Sequence, residues 1–581
     1  MPVLKSPTLL ERDLSHTSRL QVKVLTGAAA SALIEDPGFR QRWTALSDRC
    51  PWSTVFQTHD FVCPWYRVFA TKYTSVVVTA SDDSGELEGL LTLAWSNDSK
   101  ELLVAGTHHA EYQAWLSTPE ASNAFIEAAL KQLQQQFPAA GSLRFLYLPP
   151  LAPLDWIAQG RAWSKHCELV PESRPLMTVG DGSQFAAALA KKRYRARINR
   201  LNQIGPLCFE QILDPDELER IFDELVTLCD FRHGAAHGTL PFRNNSFKQP
   251  LYLALARVPG LLNITVLKLG DKIISAQINF KDRDAVMLGT LMHSPSFGEF
   301  SPGTLHMYFL GLALARRGVT TLDLTPGAGY KNRFATHNDQ VHLLTLFLRW
   351  DVTLRHRMKK TCKRAGRKLC GLVGLEPARA VDWLSRVTRT ARITHSPDAL
   401  VTRRNADQRR FQVYSWTADQ IRKLPPSTGV VRDRLQDLLC FKGLEGVANT
   451  MAFLKPALTK LEAGSHVFTQ TENDLLLYEA WLIGAADRSI LPGIREQFSA
   501  QFQSPVIYAI EEHEPGRGQE SYANFVAGII RETAGPDVTP EVYVLVRPEQ
   551  RSLQHVVEKL GATFRRHIAM AIRSPESQGD V

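Results

Sequence analysis

A chain of 581 residues, with 44% hydrophobic, 22% charged and 9% aromatic residues, has the composition of a packed protein of about three to four domains. It excludes a disordered, collagenous or disulfide-scaffold protein, and its eight cysteines, scattered without a Cys-x-x-Cys pair, suit a reducing compartment and offer neither a zinc ribbon nor a dithiol site. The formal charge of +9 is regional, because residues 351–410 hold 16 Lys or Arg against 5 Asp or Glu, a local net of +11 that leaves the rest of the chain at −2.

The first residues, Met1 to Leu20, carry Glu11, Arg12, Asp13 and Arg19 and lack an apolar stretch of secretory length. No window nears the roughly 20 apolar residues of a membrane span, so a cytoplasmic protein is expected, with attachment to the inner face of the membrane left open. A first α+β unit is expected over 20–178. Strand-like runs at Ser75–Ala80, Leu87–Trp95, Leu102–Ala105 and Leu143–Leu148 alternate there with helical stretches such as Pro119–Gln136, which ends before Pro138.

A second unit is expected over 180–354. It opens with one amphipathic helix, Ser183–Leu201, whose apolar face is Phe185, Leu189, Ile198 and Leu201 and whose other face carries Lys191, Lys192, Arg193, Arg195, Arg197 and Arg200. Such a run attracts phosphates or acidic polymers and suits a solvated helix face equally well. A helix at Asp214–Leu228 begins with acids that favour its positive end. Three strands follow, Asn263–Lys268, Lys272–Phe280 and Ala285–Met292, with Gly270-Asp271 as the first turn. Ser301-Pro302-Gly303-Thr304 then opens a helix, Leu305–Arg317, and Val319–Leu324 returns as a strand.

Residues 355–410 are expected to join this unit to the last one through a basic helix, Arg355–Lys368, and a linker with Pro377 and Pro397. The basic helix would suit an anionic membrane surface or an acidic polymer. The final unit, 411–575, repeats the order of the second. Strands at His466–Gln470, Asp474–Leu482 and Pro505–Glu511 lead to the loop Glu514-Pro515-Gly516-Arg517-Gly518, a helix Ser521–Thr533, a strand Glu541–Val546 and a helix Ser552–Leu560.

A strand that feeds a glycine break and then a helix aims free backbone N–H groups at one spot, where the helix dipole favours an anion. The Ser301–Thr304 turn is neither a P-loop nor a dinucleotide fingerprint, and helix capping alone also explains its residues. With the basic run Lys191–Leu201 and the segment Leu322-Asp323-Leu324-Thr325-Pro326-Gly327 leading to Tyr330-Lys331-Asn332-Arg333-Phe334, this turn resembles the GNAT acetyltransferase domain grouped with cellulose-biosynthesis proteins of the CelD/BcsL type, similar in turn to FemAB peptidyltransferases. Residues 22–176 look like the first lobe of such proteins. Residues 411–573 look GNAT-like too, with Gln550 where many members have Asn and Ala562 where Phe is usual.

The resemblance implies tandem GNAT-like lobes, with mixed, mostly antiparallel sheets flanked by helices. It implies transfer of an acyl group, most simply from acetyl-CoA, to a small-molecule or glycan acceptor in polysaccharide or cell-envelope metabolism, with no metal and no specific nucleic acid. Two alternatives are a FemAB-like aminoacyl transfer from tRNA and a non-catalytic partner in a polysaccharide-synthesis assembly. Backbone donors at Ser301, Gly303, Thr304, Leu305 and His306 would hold the CoA pyrophosphate. Asp323 is the expected base, with Tyr330 and Lys331 beside it; His293, Glu299, His233 and His237 are further candidates. Lys331 and Arg333 would pair with phosphate or acceptor. His233 and His237, four apart, have metal-ligand spacing, but their glycine neighbours argue against a helix. The final unit reads as either a second active site or a degenerate lobe.

Overall fold

A computed structural model describes residues 20–358 and 408–571, without 328, 427–428, 445, 484–503, 514–517 and 536–540. The described chain is mixed α/β and builds three mostly antiparallel sheets flanked by helices.

The N-terminal lobe is a five-stranded sheet of β1 (Gln21–Thr26), β2 (Thr74–Ser81), β3 (Leu87–Ser96) and β4 (Glu101–Val104), with β5 (Leu116–Ser117) paired to β3. Helices α1 (Gly27–Glu35), α2 (Pro37–Arg49), α3 (His59–Val68) and α4 (Ser122–Gln136) cover it, burying Trp43, Trp65, Trp115 and Phe125 completely. These aromatics supply the large apolar area that a lobe of this size needs to fold.

The boundary expected near 178–180 does not hold in the sheets. Strands β6 (Ser142–Leu148) and β7 (Cys167–Thr178) leave the first lobe and enter the central sheet, whose order is β6-β13-β7-β12-β11-β10-β9-β8. The other members are β8 (Leu207–Ile212), β9 (Leu262–Leu269), β10 (Lys272–Asp282), β11 (Ala285–His293), β12 (Thr321–Asp323) and β13 (His337–Phe347). Pairing decides the membership: β7 inserts between β12 and β13 and satisfies backbone groups on both.

The expected helix at 183–201 is two, α5 (Ser183–Ala190) and α6 (Lys192–Ile204), because Lys191 takes an extended ψ of 138° between them. Helix α7 (Pro215–His237) runs well past Leu228, through Gly234 and both histidines. Its glycine makes room rather than breaking the helix: a Cβ on Gly234 would lie 2.6 Å from Leu454 and 2.7 Å from Leu240. Helices α8 (Lys248–Ala256) and α9 (Pro302–Ala315) complete the unit.

The C-terminal sheet is β15-β16-β17-β18-β19-β14-β20, built from β14 (Gln408–Thr417), β15 (Val431–Arg432), β16 (His466–Glu472), β17 (Leu475–Ile483), β18 (Val506–Glu512), β19 (Glu541–Val546) and β20 (Thr563–Ala571). Its helix Val447–Glu462 packs against α7, where Gly234 and Gly238 meet Leu454 and Val447, and the pair Arg232–Glu462 closes at 2.9 Å. No helix among the described residues is long and apolar enough to cross a membrane. Of the basic run Arg355–Lys368, only residues up to 358 are described, and the loop residues Glu514–Arg517 lie outside the described residues.

Candidate active site

The centre of the site is the place where two parallel strands part. β11 and β12 pair only at Ala285–Thr321, Val286–Leu322 and Met287–Asp323, and β11 then runs on alone to His293. Two local features force the separation. Asn279 on β10 faces two residues of β11, Leu288 and Gly289, in a bulge. Only glycine fits at 289, because a Cβ there would lie 2.3 Å from the Ile278 carbonyl oxygen. On the other side Thr325 takes a left-handed φ of 58° and turns the chain away. Beyond Asp323 a single weak bond among the described residues spans the gap, from the Thr325 hydroxyl to the Leu288 carbonyl at 3.4 Å.

Alternation along the strands sorts the side chains. Val286, Leu288, Leu322 and Leu324 pack with Met307, Leu310 and Leu314 of α9, so Met287 and Asp323 fall on the opposite face, under the N-terminal lobe. Asp323 is almost fully buried there. Its Oδ2 accepts from the Tyr112 hydroxyl (2.8 Å) and from Arg174 (3.3 Å), and its Oδ1 accepts from the Thr325 N–H (2.8 Å). Arg174 pairs simultaneously with Asp339. Burial pushes the Asp323 carboxyl above its ordinary range, against the pull of Arg174, Tyr112 and the Thr325 N–H. Asp323 is thus brought into the cleft as expected, but with both oxygens engaged.

Lys331 comes to the same place with a different task from the one expected. Its ammonium donates to the Thr325 carbonyl (3.1 Å), the Thr325 hydroxyl (2.8 Å) and the Pro326 carbonyl (3.1 Å). All three donors are engaged by the turn after β12, so Lys331 fixes that turn. Burial pulls its pKa down, opposed by Glu111 and Asp323. Tyr330 stays partly exposed beside it, and burial raises its phenol against the effect of Arg333.

The expected anion turn lies at the start of α9. Ser301 has a left-handed φ of 53°, Pro302 lacks an N–H, and the N–H groups of Thr304 and Leu305 both point at the Ser301 carbonyl (3.0 and 3.2 Å). Gly303 keeps the N–H without a backbone acceptor among the described residues. Leu305 and His306 face the core, and His306 is fully buried with its Nε2 against the Thr265 hydroxyl at 2.8 Å. Of the five expected donors, the Gly303 N–H is the one that the backbone leaves available among the described residues, since the Ser301 N–H donates to the Gly298 carbonyl at 2.9 Å. One turn on, Tyr308 stacks edge-on to Tyr194 of α6, and both Arg193 and Arg333 act on its hydroxyl. Arg193 and Arg197 lie over the Tyr194 ring at 4.6 and 5.7 Å, and neither makes an ion pair among the described residues.

Other candidates fall outside this chemistry. His293 is half-buried beneath Gly303, whose Cβ would sit 3.3 Å from its Nδ1, and burial with Arg232 and His306 nearby pushes its pKa down to about 3. Glu299 is surface-exposed and paired with Arg200 at 3.2 Å. His233 is bonded to Thr239 at 2.9 Å, and no cluster of three or more His, Cys, Asp or Glu able to hold a metal occurs among the described residues.

Sequence reasoning assigned no role to Tyr112, Arg174 or Asp339. Nothing in a single sequence reports that β7 inserts between β12 and β13, which is what sets Arg174 opposite Asp339 and beside Asp323. A cavity of about 510 Å³ reaches from Asp323, Tyr112 and Arg174 to Leu151, Asp282 and Arg283 at the junction of the N-terminal lobe and the central sheet.

Residues 189–332 match the family described as acetyltransferase (GNAT) domain. No curated protein matches the chain. Among solved structures it is similar to FemX (11% identity over 52% of this chain and 95% of that one, TM-score 0.35) and to a tandem GNAT protein from the clavulanic acid biosynthesis pathway (13%, 57% and 99%, TM-score 0.36). It is similar as well to the C-terminal domain of a putative lysylphosphatidylglycerol synthetase from Agrobacterium fabrum (13%, 55% and 95%, TM-score 0.35). The chain carries an acyltransferase domain of the GNAT type.

Proposed function

We propose that the central unit transfers an acyl group, most simply acetyl from acetyl-CoA, to a small-molecule or glycan acceptor held beneath the N-terminal lobe. The observation that carries this reading is the parting of β11 and β12 at Asp323, inside the segment that matches the acetyltransferase domain. An unpaired strand edge suits the amide groups of a pantetheine arm. The Ser301, Gly303 and Thr304 turn, with Arg193 and Arg333 nearby, suits the phosphates. Asp323, Lys331 and Tyr330 would then shape the reacting end of the cleft, the first two as positioning residues whose hydrogen bonds hold the turn and the lobe in register.

Membership of the CelD/BcsL type and a role in polysaccharide or cell-envelope metabolism belong to this proposal. So does a cytoplasmic location with attachment to an anionic membrane face. Supporting the last point, residues 350–358 are helical and expose Trp350, Leu354 and Met358, spaced four apart, leading into the basic run. Aminoacyl transfer from tRNA remains the second reading, since the exposed cations Lys191, Lys192, Arg193 and Arg195 on and beside α6 suit either polyanion.

Calorimetric titration tests the proposal. Acetyl-CoA is expected to bind the wild-type protein, and Gly303→Val, which crowds the free N–H, is expected to weaken binding by roughly 1–3 kcal/mol. A folded wild-type protein that binds no acetyl-CoA would overturn it. Sedimentation with phosphatidylglycerol vesicles that is unaffected by salt and by Trp350→Ala would remove the membrane component.

A further inference from the structure

We propose that the C-terminal unit completes the donor site of the central unit: the end of its helix Val447–Glu462, seated on Gly298, sets the position of the turn that presents the Gly303 N–H. Gly298 and Glu462 are then positioning residues for the phosphates of the acyl donor. The proposal rests on the acyl-transfer reading above and gives the C-terminal unit a role within it.

The contact between the two units is direct and tight. A Cβ on Gly298 would lie 2.9 Å from the Glu462 Cγ and 3.1 Å from both its Cβ and its Cα, so the backbone at 298 rests against the last residue of that helix. Glu462 Oε1 also accepts from Arg232 of α7 at 2.9 Å, and Gly234 and Gly238 bring α7 against the same helix. The helix therefore grips the central unit along α7 and ends on the 3-10 turn Pro295–Phe300. From the other side, Arg200 of α6 pairs with Glu299 at 3.2 Å and lies 5.0 Å over the Phe300 ring. The turn is held between the two.

Hydrogen bonds carry this position into α9. The Gly298 carbonyl accepts from the Ser301 N–H at 2.9 Å, and the Ser301 carbonyl accepts from Thr304 and Leu305 at 3.0 and 3.2 Å. Gly303 lies within this ladder, with its N–H available among the described residues. Beneath it stands His293, 3.3 Å from the place of a Gly303 Cβ, and Arg232, held by Glu462, acts on that same histidine. Displacing Gly298 consequently moves Ser301, whose left-handed φ of 53° leaves little freedom, and with it the direction of the Gly303 N–H. Hydrogen bonds weaken steeply with angle, so a small shift is enough to lose a phosphate contact. The strand edge that would take the pantetheine arm is set separately, by the bulge at Gly289 and the turn at Thr325, so the effect falls on the phosphates.

The test compares acetyl-CoA with S-acetylpantetheine, which keeps the thioester and the arm but has no phosphate. Binding of acetyl-CoA to the full chain is measured by calorimetry, and that of S-acetylpantetheine by competition against it. Gly298→Ala is expected to weaken acetyl-CoA roughly 10-fold and to leave S-acetylpantetheine unchanged. Glu462→Gly is expected to weaken acetyl-CoA about 3-fold by itself, and to bring Gly298→Ala back to that level when the two are combined. Wild-type acetyl-CoA binding in both single variants, or an equal loss of both ligands, would overturn the proposal while leaving acyl transfer intact. If Gly298→Ala does not fold, Glu462→Gly decides by the same two ligands. If the wild type binds neither ligand, the acyl-transfer reading fails and the role of this contact fails with it.

Discussion

The central and C-terminal units are two versions of one design. In each, the first strand of the unit inserts between the last two, so β13-β7-β12-β11-β10-β9-β8 and β20-β14-β19-β18-β17-β16-β15 run in the same order with the same single parallel pair. Each has a bulge on the strand before its long helix, Leu288–Gly289 opposite Asn279 and Ala509–Ile510 opposite Ala480. Aligning the sheets on that bulge sets Leu545 at the place of Asp323, Phe411 at that of Arg174 and Ile568 at that of Asp339. Where the central unit holds a charge cluster of one buried and two half-buried residues, the C-terminal unit holds three buried apolar residues in one cluster. The fold therefore does not need those charges. Buried ion pairs contribute little to stability compared with well-packed apolar residues, so a charge cluster held in one copy alone is consistent with the proposal that the chemistry belongs to that copy.

The largest expected effect comes from erasing this difference. Asp323→Leu removes the acceptor used by Tyr112, Arg174 and the Thr325 N–H, and is expected to cost about 3–5 kcal/mol in urea unfolding and at least roughly 10²-fold in thiol release from acetyl-CoA. Replacing the whole cluster as the C-terminal unit does, with Arg174→Phe, Asp323→Leu and Asp339→Ile plus Tyr112→Phe, is expected to restore most of the stability and none of the transfer. A quadruple variant that stays unstable would make the charges structural. One that retains transfer would remove the cluster from the site.

Local pattern made much of this comparison legible in advance, and pairing made the rest invisible. The strands Leu262–Leu269, Lys272–Asp282 and Ala285–His293 lie within a few residues of their expected limits, because alternation and turn residues are local signals. The repeated strand-helix-strand order was readable for the same reason. The sequence also led to Asp323 and Lys331, since a carboxylate at a strand end before a Pro-Gly turn is a local feature. Lys331 finds its partners within the same turn, but the side chains that hold Asp323, Arg174 and Tyr112, come from 149 and 211 residues away, and no local signal reports them. Helix α7 was read too short because glycine was weighed as a breaker, whereas Gly234 and Gly238 serve the close approach of the helix Val447–Glu462.

The second contrast concerns acid. His293 and His306 of the central unit are held neutral by burial, each with its pKa pushed down to about 3, whereas the corresponding C-terminal helix, Gln519–Ala534, contains no histidine. In the unfolded chain these groups titrate near 6.5. Their folded pKa lies below the unfolded one, so the neutral form stabilises the fold fully above pH 6.5, and that contribution is lost as pH falls toward 3, by about 1.4 kcal/mol per unit for each histidine. Urea unfolding between pH 7.5 and about 5 is expected to show the central unit weakening first. His306→Gln, which keeps a partner for Thr265, is expected to remove about half of the slope. An unchanged slope would mean that these histidines are not the acid-sensitive groups.

The smallest expected effect tests whether the C-terminal unit retains chemistry of its own. Its Gln550 donates from Nε2 to the Ile510 carbonyl at 2.8 Å and accepts from the Arg547 N–H at 3.1 Å, so one side chain ties the bulge of β18 to the turn after β19. In the central unit the weak Thr325 bond is the one that crosses the equivalent gap among the described residues. If Gln550 is a structural tie in a lobe without a catalytic role, Gln550→Ala should cost about 1 kcal/mol for each bond lost, a few degrees in Tm, and leave acetyl-CoA binding and thiol release unchanged per folded molecule. A loss of transfer at unchanged fold would place a working cleft in the C-terminal unit as well, and the apolar Leu545, Phe411 and Ile568 would then have to be explained as a site that works without the charges on which the central unit depends.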